Sequence, residues 1–241
     1  MEPLNSLLSV TTVGTAEGLI NKVNQLLDAG DVFCLNFLNM HASNIAYKNR
    51  EFLAGMIESD ILVRDGVGIE FAMRFLGISP GENLNGTDLI PRILLSRSNS
   101  KVVLLGSTDE ILKKSKLLLL ERYNVEVVGS MNGFDYDDDQ YVEYLAMLDF
   151  EFVILAMGMP KQELLSKKLK ECGMMKNSTC IISGGAILSF LTGAERRAPE
   201  WIRYLKMEWF WRLCLDPKRL YRRFVIGGFN FFYSIIRLKI N

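Results

Sequence analysis

Histidine is nearly missing: His41 is the only one in 241 residues. That scarcity removes histidine-based triads and multi-histidine metal sites from consideration. Any general base required is then most naturally a carboxylate. Cysteine is sparse too, and Cys34, Cys172, Cys180 and Cys214 lack zinc-finger spacing. A chain of this length needs no disulfide staples, so reduced, buried thiols suited to the cytosol are expected. Net charge is absent, with 28 basic residues against 28 acidic ones. A uniformly basic nucleic-acid binder is therefore excluded. No apolar run reaches 18 residues, so no transmembrane helix is expected. The start, Met1-Glu2-Pro3-Leu4-Asn5, has no basic region before an apolar run, and no signal peptide is read there. Also missing are G-x-G-x-x-G, G-x-x-x-x-G-K-[ST] and G-x-S-x-G. Dehydrogenase, P-loop and hydrolase-elbow readings lose their usual signatures.

What is present is alternation. Apolar, β-rich runs fall at 32–37, 61–64, 101–105, 125–128, 152–156 and 180–183. Several are continuous, as parallel strands covered on both faces should be. Helical stripes lie between them, at 15–27, 109–123 and 138–148. The order predicts an α/β fold with a Rossmann-like, doubly wound, mostly parallel sheet.

Ligands of such sheets bind beyond the carboxyl ends of the strands. The predicted rim is rich in glycine, with Gly66 and Gly68, Gly106, Gly129 and Gly133, Gly158, and Gly184 and Gly185. Glycine lets backbone N–H groups approach a phosphate, and the helix N-termini that follow favour anions. A nucleotide or phosphate site is expected there. Asp65 ends an apolar run just before Gly66, and two readings stay open for it. It is a base facing a ligand cavity, or a cap for a helix starting near Val67.

The composition changes near residue 195. Residues 195–241 hold 11 basic and 4 acidic side chains, a charge of +7, and residues 1–194 carry −7. All three tryptophans, Trp201, Trp209 and Trp211, lie in this second part. Pro217 divides it into two predicted helices, about 200–215 and 218–236. Arg219, Arg222 and Arg223 fall at i, i+3 and i+4, on one helical face. Basic residues among aromatics, in helices too short to span, fit a membrane-surface element. The alternative is a helical pair that packs its aromatics on the core. We divide the chain into a core, 1–194, and a helical C-terminal appendage, 195–241.

Five motifs carry a resemblance. They are Asp65-Gly66, Asn85-Gly86-Thr87-Asp88-Leu89, Gly158-Met159-Pro160-Lys161-Gln162-Glu163, Arg197-Ala198-Pro199-Glu200-Trp201 and Asp216-Pro217-Lys218-Arg219. Their order and spacing, from about residue 30 to 225, resemble the WecG/TagA/CpsF glycosyltransferases. The resemblance implies a bacterial enzyme of cell-surface polymer synthesis, peripheral on the cytoplasmic face of the membrane. It would move a sugar, an N-acetylhexosamine or a uronic acid, from a UDP-sugar to a polyprenyl-diphosphate-linked sugar. No metal or other cofactor is implied, and no nucleic-acid partner. The tail's apolar surface would also suit a homo-oligomer.

By the same resemblance, Asp65 is the catalytic base. Candidate substrate contacts are Asn39, Gly66, Asn83, Asn85, Gly106, Phe134, Gln162, Gly185 and Ser189. Arg212, Arg219, Arg222 and Arg223 would meet diphosphate or lipid headgroups. Three positions depart from the family pattern. Phe37 stands for a threonine, Asn83 for an arginine and Ser189 for an aspartate. Losses of a hydroxyl, a guanidinium and a carboxylate from one cleft would imply a different substrate or a weakened enzyme. The alternative is a membrane-bound nucleotide-sugar scaffold without turnover.

Overall fold

A computed structural model describes residues 2–175 and 178–240. Its centre is one six-stranded sheet: β1 (Val32–Leu38), β2 (Ile61–Arg64), β3 (Lys101–Gly106), β4 (Glu126–Met131), β5 (Phe152–Ala156) and β6 (Thr179–Ser183). The order is β2-β1-β6-β5-β3-β4, and every pairing is parallel. The predicted sheet is thus present, and entirely rather than mostly parallel.

Helices cover both faces because the strand side chains alternate in direction. Phe33, Leu35 and Phe37 of β1 point to one core, with the Ala16–Asp28, Gly86–Ser96, Asp109–Tyr123 and Ile187–Leu191 helices. Cys34 points to the opposite side, where Val153, Leu155 and Ile181 meet the Asp138–Ala146 and Lys161–Glu171 helices. Each large side chain buried this way contributes about 1.5–3 kcal/mol. Buried thiols are found at Cys34 and Cys180, whereas Cys172 is half-buried and Cys214 exposed; all four are free. Burial pushes the Cys34 thiol up to about 11.

Gly129 does not follow a strand, as its sequence position implied, but lies inside β4. A Cβ there would stand 2.6 Å from Leu148 and 2.7 Å from the Tyr144 hydroxyl. Its role is close packing.

The C-terminal part is more broken than its periodicity predicts. The first expected helix is two, Glu200–Tyr204 and Glu208–Leu215, separated where Lys206 takes a left-handed φ of 59°. The second consists of Pro217–Tyr221, a π-turn Arg222–Ile226 and Gly227–Ile240. A π-turn inserts one residue and shifts the helical face that follows. Here the shifted face brings Phe231 and Ile235 into a buried cluster with Leu4, Leu7 and Ala42. Asn44 Nδ2 donates to the Gly227 carbonyl at 2.8 Å. Among the described residues, no helix is long and apolar enough to cross a membrane.

Candidate active site

β1 and β2 run in register through Leu38 and Arg64, so Asn39 and Asp65 leave the sheet side by side. Asn39 caps the Met40–Ala46 helix, its Oδ1 accepting from Ala42 N at 3.0 Å. Its Nδ2 donates to Asp65 Oδ2 at 3.4 Å. The helix after Asp65 starts at Val67 with Gly66 as its cap, and no side chain caps it. This removes the capping reading of Asp65. Gly66 has φ +88°, a conformation that suits glycine.

Burial raises the Asp65 pKa from its ordinary value. The Asn39 hydrogen bond and the charges of Arg223, Arg212 and Arg64 act in the opposite direction. Two of those arginines come from the C-terminal part. Arg212 and Arg219 each donate to one oxygen of Glu195, both at 3.3 Å. Arg212 also lies 5.4 Å from the Phe190 ring, next to Ser189 on the Ile187–Leu191 helix. Arg223 stacks on Phe224, and its buried Nε has no hydrogen-bond partner. Burial lowers its pKa. Arg222 is exposed while Arg223 is half-buried, so the two do not share one environment. His41 is held neutral, its pKa lowered to about 4 by burial and by Arg223.

Of the three departures from the family pattern, Phe37 lies outside the cleft. Phe37 is 4% exposed and belongs to the core. It packs under Gly86, where a Cβ would sit 3.3 Å from its ring. Asn83 Oδ1 accepts from Gly66 N at 2.9 Å and Arg64 Nη1 at 3.4 Å, closing the loop beside Asp65. Asn85 caps the Gly86–Ser96 helix and donates to Asp88 at 2.8 Å. Asp88 in turn receives both terminal nitrogens of Arg197. Two sequence motifs thus form one joint between the sheet domain and the segment that follows.

A second joint escaped the sequence reading. Glu70 accepts from Lys206 at 2.7 Å, and it also pairs with Arg64 and Arg74. The Lys206 hydrogen bond is the main cause of its lowered pKa. Glu70 lies one turn after Asp65, so this joint holds the C-terminal part against the Asp65 end of the rim. Glu70 and Lys206 are 136 positions apart, and no local pattern connects them.

The other end of the rim is made of backbone. Gly106 has φ +110°, and a Cβ there would lie 2.6 Å from the Ala156 carbonyl. β3 and β5 touch at this point, and their connections leave in opposite directions, which makes it a topological switch point. Gly133 N donates to Ser107 O at 3.0 Å, and Phe134 beside it is 75% exposed. Asn132 shapes this turn, its Oδ1 accepting from Phe134 N and Asp135 N. Gln162 is buried. Its Oε1 accepts from Gly158 N at 3.1 Å and Gly185 N at 3.0 Å. Its Nε2 donates to Glu163 and to the Ser183 carbonyl. Both ends of the amide are therefore met by protein groups. Among the described residues, no three His, Cys, Asp or Glu side chains gather where an ion could sit.

Known proteins give this geometry a family. A chain of Staphylococcus aureus strain NCTC 8325 is 28% identical over 204 residues, covering 83% of this chain and 78% of its own length. It is named N-acetylglucosaminyldiphosphoundecaprenol N-acetyl-beta-D-mannosaminyltransferase. Its counterpart in strain MRSA252 is 27% identical over the same share. The model of the Glycosyl transferase WecG/TagA/CpsF family matches residues 6–241, more of the chain than the five motifs span. The chain belongs to the WecG/TagA/CpsF family and is a glycosyltransferase.

Proposed function

We propose that this enzyme transfers an N-acetylhexosamine or uronic acid from a UDP-sugar to a polyprenyl-diphosphate-linked sugar in cell-wall polymer synthesis. The observation that carries the reading is Asp65, half-buried at the rim, held by Asn39 and facing Arg212 and Arg223. Asp65 takes the proton of the acceptor hydroxyl, which attacks the anomeric carbon of the donor. The departing UDP leaves from the opposite face, and the configuration inverts. Preorganised N–H groups at the glycine turns stabilise the charge that grows on UDP. The arginines offer the diphosphate-linked acceptor its counter-charge. Relatives named as N-acetylmannosaminyltransferases acting on an N-acetylglucosaminyl diphospholipid support these substrate classes.

We further propose that the enzyme works peripherally on the cytoplasmic membrane face through residues 195–241. Phe229, Phe232, Tyr233 and Ile236 are exposed, and Arg237 and Lys239 follow on the same helix. Phe232 meets Phe71 of the Val67–Phe75 helix edge-on at 5.3 Å, which widens the apolar face. Such a surface binds anionic lipid by insertion and by charge.

The test is UDP release from a panel of UDP-hexosamines and UDP-uronic acids with a short-chain lipid-diphosphate sugar. Release that needs the acceptor supports transfer; none with any donor returns the scaffold reading. For the membrane, the double variant F229S/Y233S should bind anionic vesicles several-fold less than wild type, and both should bind less as salt rises. Equal binding by the two proteins would remove this surface. These exposed positions are preferable to truncation, because Phe231 and Ile235 belong to the core.

A further inference from the structure

Glu163 sits where a carboxylate is least comfortable. It is 1% exposed, on the first turn of the Lys161–Glu171 helix. Its Oε1 accepts from Gln162 Nε2 at 2.7 Å, and its buried Oε2 has no hydrogen-bond partner. An apolar side chain of similar volume would be cheaper at such a position. A buried acid kept against that cost points to a task.

The task is legible in the neighbouring amide. Two backbone N–H groups, from Gly158 and Gly185, converge on one atom of Gln162. Only the amide oxygen can accept from both, so the NH2 group must face the other way. Glu163 Oε1 is the strongest acceptor on that side, with the Ser183 carbonyl more distant at 3.4 Å. Without it, the NH2 group keeps only the longer bond to the Ser183 carbonyl, and the amide is held firmly on its oxygen side alone. Gly158 and Gly185 both hold left-handed φ values, +78° and +58°, at the carboxyl ends of β5 and β6.

We infer that Glu163 is a positioning residue: it fixes the orientation of the Gln162 amide, and through that amide the spacing of the Gly158 and Gly185 turns. Its kinetic consequence rests on the proposed sugar transfer; its structural consequence does not. Burial pushes the Glu163 carboxyl up to about 7, so the acid form is well populated near neutrality. A proton on Oε2 leaves Oε1 free to accept, and the clamp holds in that form as well.

The experiment compares wild type, E163Q and E163L, with E163M in reserve should E163L fail to fold. The first readout is amide hydrogen exchange in 15N-glycine-labelled protein, with Gly106 as the internal control. In E163L, the Gly158 and Gly185 amides should exchange about 10-fold faster while Gly106 is unchanged. The second readout is steady-state kinetics with the UDP-sugar. In E163L, kcat/KM should fall about 10–100-fold. E163Q keeps a side-chain oxygen at the same place and should stay within about 3-fold of wild type in both readouts. Unchanged protection of both glycines in a folded E163L or E163M overturns the inference. So does an E163Q that fails as badly as E163L with both glycines still protected. If wild type transfers no sugar but the exchange contrast appears, the clamp stands and the proposed sugar transfer falls.

Discussion

Two stretches of the rim solve one problem, holding polar groups still at the carboxyl ends of the strands, by opposite means. At the β1–β2 end the groups are charged, and most of the charge comes from far along the chain. The charges of Arg212 and Arg223 act on Asp65, and Lys206 pairs with Glu70. At β5–β6, in the middle of the sheet, they are backbone amides at two glycine turns, gathered within residues 158–185 by the neutral Gln162 amide. The charged end is tunable, because each opposing charge shifts the proton affinity of Asp65. The neutral end is rigid, because an amide with every partner met has no second arrangement to adopt. Proton transfer calls for the first property and oxyanion stabilisation for the second.

The largest predicted effect attacks the charged end. D65N should lower kcat by about 10²–10⁴-fold with the thermal midpoint nearly unchanged. Undiminished transfer at saturating substrate would strip this end of its catalytic role.

The next attacks the neutral end through stability. The unfolded Glu163 carboxyl titrates at 4.5 and the folded one at about 7. Between those values the folded state keeps a proton that the unfolded state has lost. Stability from this group is therefore greatest below pH 4.5 and declines as pH rises to about 7, by up to about 3 kcal/mol. E163Q should flatten that decline. Urea midpoints of both proteins at pH 5 and pH 8 read it directly, and parallel curves would sink the assignment.

A smaller effect tests the tuning itself. R223Q removes a positive charge that lowers the Asp65 pKa, so that pKa should rise. The acid limb of the kcat/KM profile should then move to higher pH. Asn39, Arg64, Arg212 and Glu208 also act on this cluster and remain in place in the variant. An unmoved limb would mean that Arg223 does not tune the base.

The smallest concerns the joint. A double-mutant cycle on Asp88 and Arg197, both partly exposed, should give a coupling of about 0.5–1 kcal/mol. A coupling near zero would leave Lys206–Glu70 as the stronger attachment.

Much of this fold could be read in advance, and the reason is local. β2 and β5 were read at their observed bounds, as was the Asp109–Tyr123 helix, because a fully buried run and an amphipathic stripe are written in neighbouring residues. Asp65 was legible for the same reason, as an acid closing an apolar run before glycine. What escaped depends on distant partners. Phe37 was assigned to the cleft by its place in a motif, yet in β1 its side chain alternates into the core. The break at Lys206 has no glycine or proline to announce it, and Glu70, 136 positions away, holds that lysine. Glu163 drew no notice beyond its motif, since an acid in a first helical turn normally answers the helix dipole in solvent. One sign was available: Gln162 and Ser166 share the buried stripe with Leu165 and Leu169. Polar residues on an apolar stripe imply a buried network.

The burial of Phe231 and Ile235 against Leu4 and Leu7 also has a consequence in time. A ribosome adds about 5–20 residues per second, so the sheet leaves it several seconds before residues 212–235 do. Until then Asp65 has been made without Arg212 and Arg223, and the first helix without its packing partners Phe231 and Ile235. The enzyme acquires its arginines and its candidate lipid-facing surface in one late event. A nascent chain thus holds every strand of the sheet before it holds the residues that complete the site.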